Sequence, residues 1–184
     1  MNLKDSKQVA RDRDARLYAE PLVLPIQPID LLRNLRLTLR QAFDIGKIKT
    51  NPNSIEQLVK QDTRESQNKI YVITGGQRKG DNRLLLNNGA RLNFMIAVRS
   101  VVTGIEVISF SFHLEEPANR TPRLVRYDYL DAQHEDPVKE PRCHLHPGHN
   151  DVRLPAPLLT PVEMLHVLLQ AMDYKRAHRA KQKT

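Results

Sequence analysis

The stretch that decides the fold is Arg91-Leu92-Asn93-Phe94-Met95-Ile96-Ala97-Val98-Arg99-Ser100. The pair Thr103-Gly104 follows it, then Ile105-Glu106-Val107-Ile108-Ser109-Phe110-Ser111-Phe112-His113-Leu114. Leu92, Phe94, Ile96 and Val98 recur every second residue in the first half. Ile108, Phe110, Phe112 and Leu114 do so in the second. Side chains alternate across a strand with a period of two, so each half is a strand with one apolar face. Thr-Gly between them is a tight turn, and the pair is an antiparallel hairpin.

Working outward, Lys69-Ile70-Tyr71-Val72-Ile73-Thr74 is a strand by its β-branched and aromatic content, and Arg123-Leu124-Val125-Arg126-Tyr127-Asp128-Tyr129-Leu130 is another. The residues Gly75 to Asn82 and Pro117 to Pro122 make turns. The expectation is an α+β domain built on an antiparallel meander of about five strands. Gly75 and Gly80 have the spacing of a phosphate-binding loop. Asp81-Asn82 stand where that loop needs lysine and a hydroxyl, so nucleotide binding is not expected there.

Helices flank the strands. Thr160-Pro161-Val162-Glu163 combines a cap residue, a first-turn proline and a capping-box glutamate. It opens a helix whose buried stripe is Met164, Leu165, Leu168, Leu169 and Met172. Upstream, Leu32, Leu35, Leu39, Ala42 and Phe43 mark a helix from about Ile29 to Asp44, with Gly46 as its C-terminal cap. A shorter helix is expected to start at Ser54, with Gln57 completing a capping box. Pro21, Pro25 and Pro28 keep the preceding segment extended. The divisions read from this pattern are an N-terminal extended and helical region (1–65), an α+β core with a histidine-rich loop (66–174) and a basic tail (175–184).

Across 184 residues, 40% are hydrophobic and 27% charged, enough apolar material for a core and too much for wholesale disorder. No apolar run reaches the roughly 20 residues that span a bilayer, and the N-terminus lacks the apolar stretch of a secretory signal. A single cysteine, Cys143, cannot form an internal disulfide, which fits a cytoplasmic protein. The net charge of +8 points to a polyanionic partner, RNA or another nucleic acid. Arg33, Arg36 and Arg40 repeat along one helix face, where a phosphate backbone could lie, although a solvated face has the same pattern. Arg78, Lys79 and Arg153 are further candidates for phosphate contact.

Three of the 7 histidines fall within the run His144-Leu145-His146-Pro147-Gly148-His149, followed by Asn150-Asp151-Val152-Arg153. In an extended segment His144 and His146 share a face, with Cys143 on the other. Two chemistries compete with a purely structural loop. In the first, His144, His146, His149 and Asp151 hold a borderline divalent metal. In the second, no cofactor is needed. One histidine takes a 2′-hydroxyl proton from RNA and another protonates the leaving oxygen, since an imidazole titrates near neutrality. Arg126 would then hold the phosphate and Asp128 orient a histidine, because the two alternate onto one face of their strand. Tyr127, on the other face with Tyr129, is a further candidate.

Arg126-Tyr127-Asp128, then His144-x-His146, then a Pro-x-Glu-led final helix, in that order after a β-meander, resembles the TumE family of toxins from bacterial toxin–antitoxin pairs. The resemblance covers roughly residues 90 to 173. Residues 1 to 65 and the stretch Pro147 to Pro155 depart from it. It implies a prokaryotic genetic-conflict setting, a helix-turn-helix antitoxin-like partner and an activity on RNA. The leading expectation is a toxin-like or antiviral-defence protein that cleaves RNA through His144 and His146 without metal. The alternatives are a non-catalytic nucleic-acid-binding subunit of a larger defence or mobile-element complex, and a metal-dependent hydrolase.

Overall fold

The fold was obtained as a computed structural model, which describes residues 21–65, 69–76, 83–117, 124–130, 142–148 and 152–170. The first 20 residues, Arg78, Lys79, Gly80, His149, Asp151, Met172 and the basic tail lie outside the described residues.

The elements in chain order are β1 (Val23–Leu24), α1 (Pro28–Asp44), α2 (Pro52–Leu58), β2 (Val59–Glu65), β3 (Ile70–Gly75), β4 (Leu84–Leu85), β5 (Arg91–Val101), β6 (Gly104–Glu115), β7 (Leu124–Leu130), β8 (Cys143–Pro147) and β9 (Leu154–Pro155). A final helix, α3, occupies residues 161–170. The protein is α+β, with one antiparallel sheet ordered β2-β3-β5-β6-β7-β8-β9. β1 is added to β6 and β4 to β5. The sheet is wider than the expected five strands. β1, β4 and β9 have two residues each, too short to show a period. The expected division at residue 65 coincides with the end of β2, itself a strand of this sheet.

The core lies between one face of the sheet and the helices. Leu31, Leu35 and Leu39 of α1, Met164, Leu165 and Leu169 of α3, and Ile73, Phe94, Ile96, Val98, Phe110 and Phe112 of the sheet form one buried cluster. Phe112 is fully buried, and removing a side chain of that size from water contributes ~2–3 kcal/mol. The central hairpin pairs Leu92 with Leu114, Phe94 with Phe112 and Ile96 with Phe110, then shifts register between Ala97 and Val98, which pair with Ser109 and Val107. The extra residue is Ile108. The bulge changes which alternate residues face the core, so Ile105 and Val107 are buried and Ile108 is only half-buried. That corrects the expectation that Ile108 belongs to the buried set.

At the hairpin turn Gly104 has φ +142°, and a Cβ there would lie 2.1 Å from the Leu24 carbonyl oxygen. Only glycine lets β1 pass this close.

The helix ends follow the sequence with one correction. Thr160 N donates to Glu163 Oε2 at 2.8 Å, and Glu163 N donates back to Thr160 Oγ1 at 3.3 Å, the expected capping box. Gly46 takes a left-handed φ of +71° after α1. The cap of α2 lies three residues before the expected Ser54. Asn51 caps it by accepting from Ser54 N at 2.9 Å, and Pro52 fills the first helical position. Asparagine caps as well as serine does, and proline is preset for that position.

Candidate functional site

The site is built on β7 and β8, and the core fixes which side chains it receives. Tyr127 and Tyr129 stack against Phe110 at centroid distances of 5.6 and 5.2 Å. With both rings held in the core, alternation places Arg126 and Asp128 on the opposite face. β8 pairs with β7 so that Tyr129 meets Cys143, Asp128 meets His144 and Arg126 meets His146. Cys143 is buried, and burial pushes its thiol up from its ordinary value against smaller lowering effects of Tyr127 and Arg142. A slip of one residue would send both histidines to the core face.

Asp128, His144 and His146 are 3%, 3% and 2% exposed. Asp128 Oδ2 lies 2.7 Å from Arg126 Nε, 3.1 Å from His146 Nε2 and 3.4 Å from His144 Nε2. The imidazole rings meet edge to face at 4.9 Å. Burial alone would raise the Asp128 carboxyl. The His144 hydrogen bond and the Arg126 guanidinium outweigh it and hold the group below its ordinary value. The three groups form the floor of an open pocket of about 440 Å³, whose walls include Met95, Ser109, Ser111, Leu130, Arg126 and Arg153. Of the described residues, only these three place histidine, cysteine or carboxylate ligand atoms close enough together to hold a metal ion.

The sequence-derived candidates separate accordingly. His144, His146, Asp128 and Arg126 come together, with Arg153 at the pocket wall. Tyr127 does not join them. It is 2% exposed on the core face, and its hydroxyl donates to the Pro157 carbonyl at 2.6 Å, tying β7 to the segment that leads into α3. Each arginine of the expected phosphate-binding face of α1 makes a contact within the chain. Arg36 donates to the carbonyls of Val59 (2.8 and 3.1 Å) and Glu56 (3.0 Å), and ion-pairs with the Glu56 carboxylate at 2.7 Å. Arg40 pairs with Glu56 at 2.5 Å and Arg33 with Asp30 at 2.9 Å. Arg36 therefore joins α1 to the α2–β2 junction, because the end of a helix leaves carbonyls that a guanidinium can satisfy.

Ser109 and Ser111 were missed as site residues. The signal was present, since both alternate with Phe110 and Phe112 and so face away from the core. What the sequence lacks is the pairing of Ser111 with Asp128 and Ser109 with Leu130. Arg142 was also missed. It is 5% exposed, donates to the Tyr129 hydroxyl at 2.6 Å and lies over that ring, supporting β7 from the core side.

Comparison with protein-family models, curated proteins and solved structures returned no match. Among the described residues, no helix is long and apolar enough to cross a membrane.

Proposed function

We propose that the chain is an enzyme that cleaves RNA, with its reaction centre at Asp128, His144 and His146 and its phosphate contacts at Arg126 and Arg153. One observation carries this reading. Two imidazoles and a carboxylate converge, buried, at the floor of an open pocket that two arginines border. Titratable groups that converge on a carboxylate partner in a cleft are candidates for a reaction centre. A guanidinium beside the scissile phosphate would stabilise charge developing on its oxygens.

The toxin-like or defence setting and an antitoxin or larger complex as partner rest on the order of the Arg-Tyr-Asp, His-x-His and final-helix motifs, the choice of RNA on that order and the net charge of +8, and the cytoplasmic location on the single cysteine. In the acid–base form of this reaction an imidazole nitrogen must reach the 2′-hydroxyl. Both Nε2 atoms are instead directed at Asp128 Oδ2, so the proton acceptor is sought at the point where the three groups converge. The binding-subunit alternative draws on Arg33, Arg36 and Arg40, each of which is ion-paired within the chain.

The test is turnover of RNA by the purified chain, with His144→Ala and His146→Ala as controls. Cleavage by the wild type, lost in both variants while their circular dichroism is unchanged, is expected. Equal cleavage by wild type and double variant would overturn the reading.

A further inference from the structure

We infer that Asp128, His144 and His146 are the three protein ligands of a borderline divalent transition-metal ion, held with an open coordination position toward the pocket. This rests on the proposed reaction centre and specifies what acts there.

The argument starts from mutual distance. Ligand atoms bound to one ion at about 2.0–2.2 Å stand about 3–3.5 Å from each other, whether the polyhedron is tetrahedral or octahedral. Asp128 Oδ2 is 3.1 Å from His146 Nε2 and 3.4 Å from His144 Nε2, and one ligand atom from each of the three residues lies within 4.8 Å of the other two. Three potential ligand atoms this close are held together by protons or by a cation between them, and a cation can satisfy all three at once. Here they are buried, where charge is poorly screened. Two adjacent strands carry all three ligands, so the sheet ladder sets their spacing rather than a loop.

The donor set selects the ion. Two imidazoles and one carboxylate suit zinc, cobalt or iron(II), and do not suit magnesium or calcium, which take oxygen donors. Arg126 and Arg153 add positive charge and weaken cation binding in general. That favours ions with strong bonds to imidazole, toward the zinc end of the divalent series. Arg126 Nε holds both oxygens of the same carboxylate, Oδ1 at 2.9 Å and the ligand atom Oδ2 at 2.7 Å, and orients the ligand from outside the coordination shell. Three protein ligands and one open position is the arrangement of a catalytic rather than a structural site.

The chemistry follows from a bound water whose proton is loosened by the ion. Its hydroxide form takes the proton of the RNA 2′-hydroxyl. The 2′-oxygen forms a bond to phosphorus and the bond from phosphorus to the 5′-oxygen breaks. The proton returns from the metal-bound water to that 5′-oxygen. The products are a 2′,3′-cyclic phosphate and a 5′-hydroxyl, and the metal hydroxide is regenerated, so no oxidant or other co-reactant is required.

The experiment uses the full chain, stripped with chelator and titrated with Zn²⁺ and with Co²⁺. About one equivalent is expected to survive dialysis, with visible Co²⁺ absorption of a four- or five-coordinate site. Wild-type Tm should rise by several degrees with Zn²⁺. Asp128→Asn and His146→Gln should each lose the metal and the Co²⁺ bands, while His166→Gln, outside the site, keeps both. No retained metal and no Tm shift in the wild type would overturn the inference. So would undiminished RNA cleavage by the stripped protein in chelator, which would leave the RNA-cleaving reading standing with imidazole acid–base chemistry. Metal bound at the triad with no RNA cleaved would uphold the site and overturn the RNA reading together with the proton-acceptor step.

Discussion

Asp128 lies directly opposite His144 in the β7–β8 ladder, yet its Oδ2 is closer to the diagonal neighbour His146, at 3.1 Å against 3.4 Å. The carboxylate therefore joins two positions of β8 rather than one. A side chain that serves both histidines at once should be more sensitive to chemical change than to change of size. Asp128→Asn keeps the volume and removes the charge. RNA cleavage is expected to fall by a factor of ~10² or more. Unfolding free energy should move by only about 1 kcal/mol, because Arg126 is partly exposed and can be solvated. Single-turnover cleavage and urea denaturation on the same preparation check both halves.

Arg36 and Arg153 should respond in opposite ways. Arg36→Met removes the guanidinium from the Val59 and Glu56 carbonyls and is expected to cost about 1–2 kcal/mol of stability. It should leave the salt dependence of RNA binding unchanged. Arg153→Ala should leave stability within about 0.5 kcal/mol and weaken binding at low salt, lowering the slope of log K against log salt by about 1. Fluorescence anisotropy over a salt series, paired with denaturation curves, distinguishes them.

Glu163 gives a pH signature to α3. Its carboxyl is held below its ordinary value of 4.5 by hydrogen bonds from the Thr160 backbone and then the Thr160 hydroxyl. A carboxylate with a depressed folded-state pKa contributes stability that is complete above its unfolded value and is lost as pH falls through the folded value. Wild type should thus exceed Glu163→Gln in Tm at pH 6, with the difference closing below about pH 4.5. Thr160→Ala removes the hydroxyl and its bonds with Glu163 N and Oε2, keeps the backbone N–H, and should cost ~1 kcal/mol at neutral pH. Thermal melts between pH 3 and 7 provide the comparison.

Gly104→Ala tests the close pairing of β1 with the start of β6. The new Cβ would meet the Leu24 carbonyl oxygen, and the backbone there is already left-handed. A loss of ~3 kcal/mol is expected, among the larger effects of a single methyl group. Ser100→Ala, a half-buried position on the same hairpin, should stay within about 0.5 kcal/mol. Guanidinium denaturation of the two variants is the measurement.

Local chemistry was enough for the central hairpin, for α1 and for the start of α3. Each of those depends on neighbours within four residues, through alternation, a 3.6-residue stripe or a cap. The same locality paired His144 with His146 and Arg126 with Asp128, since residues two apart in a strand share a face whatever the fold. The α2 start was misplaced within that same local grammar, where Asn51-Pro52 outcompetes Ser54.

What only the tertiary structure decided is which of these local pairs meet. The β7–β8 register is set by Tyr127, Tyr129 and Cys143 entering the core together, and it brings Asp128 to the two histidines across residues 131–141 of intervening chain. Spacing along the chain offers Asp151 as a metal ligand and strand alternation offers Asp128 as an orienting carboxylate; the register brings Asp128 to both histidines. The bulge at Ile108, the engagement of Arg36 and Arg40 by Glu56, and the placing of Tyr127 in the core arise in the same way. In each, a side chain's partner is chosen by packing between elements distant in sequence, and short-range periodicity carries no record of that distance.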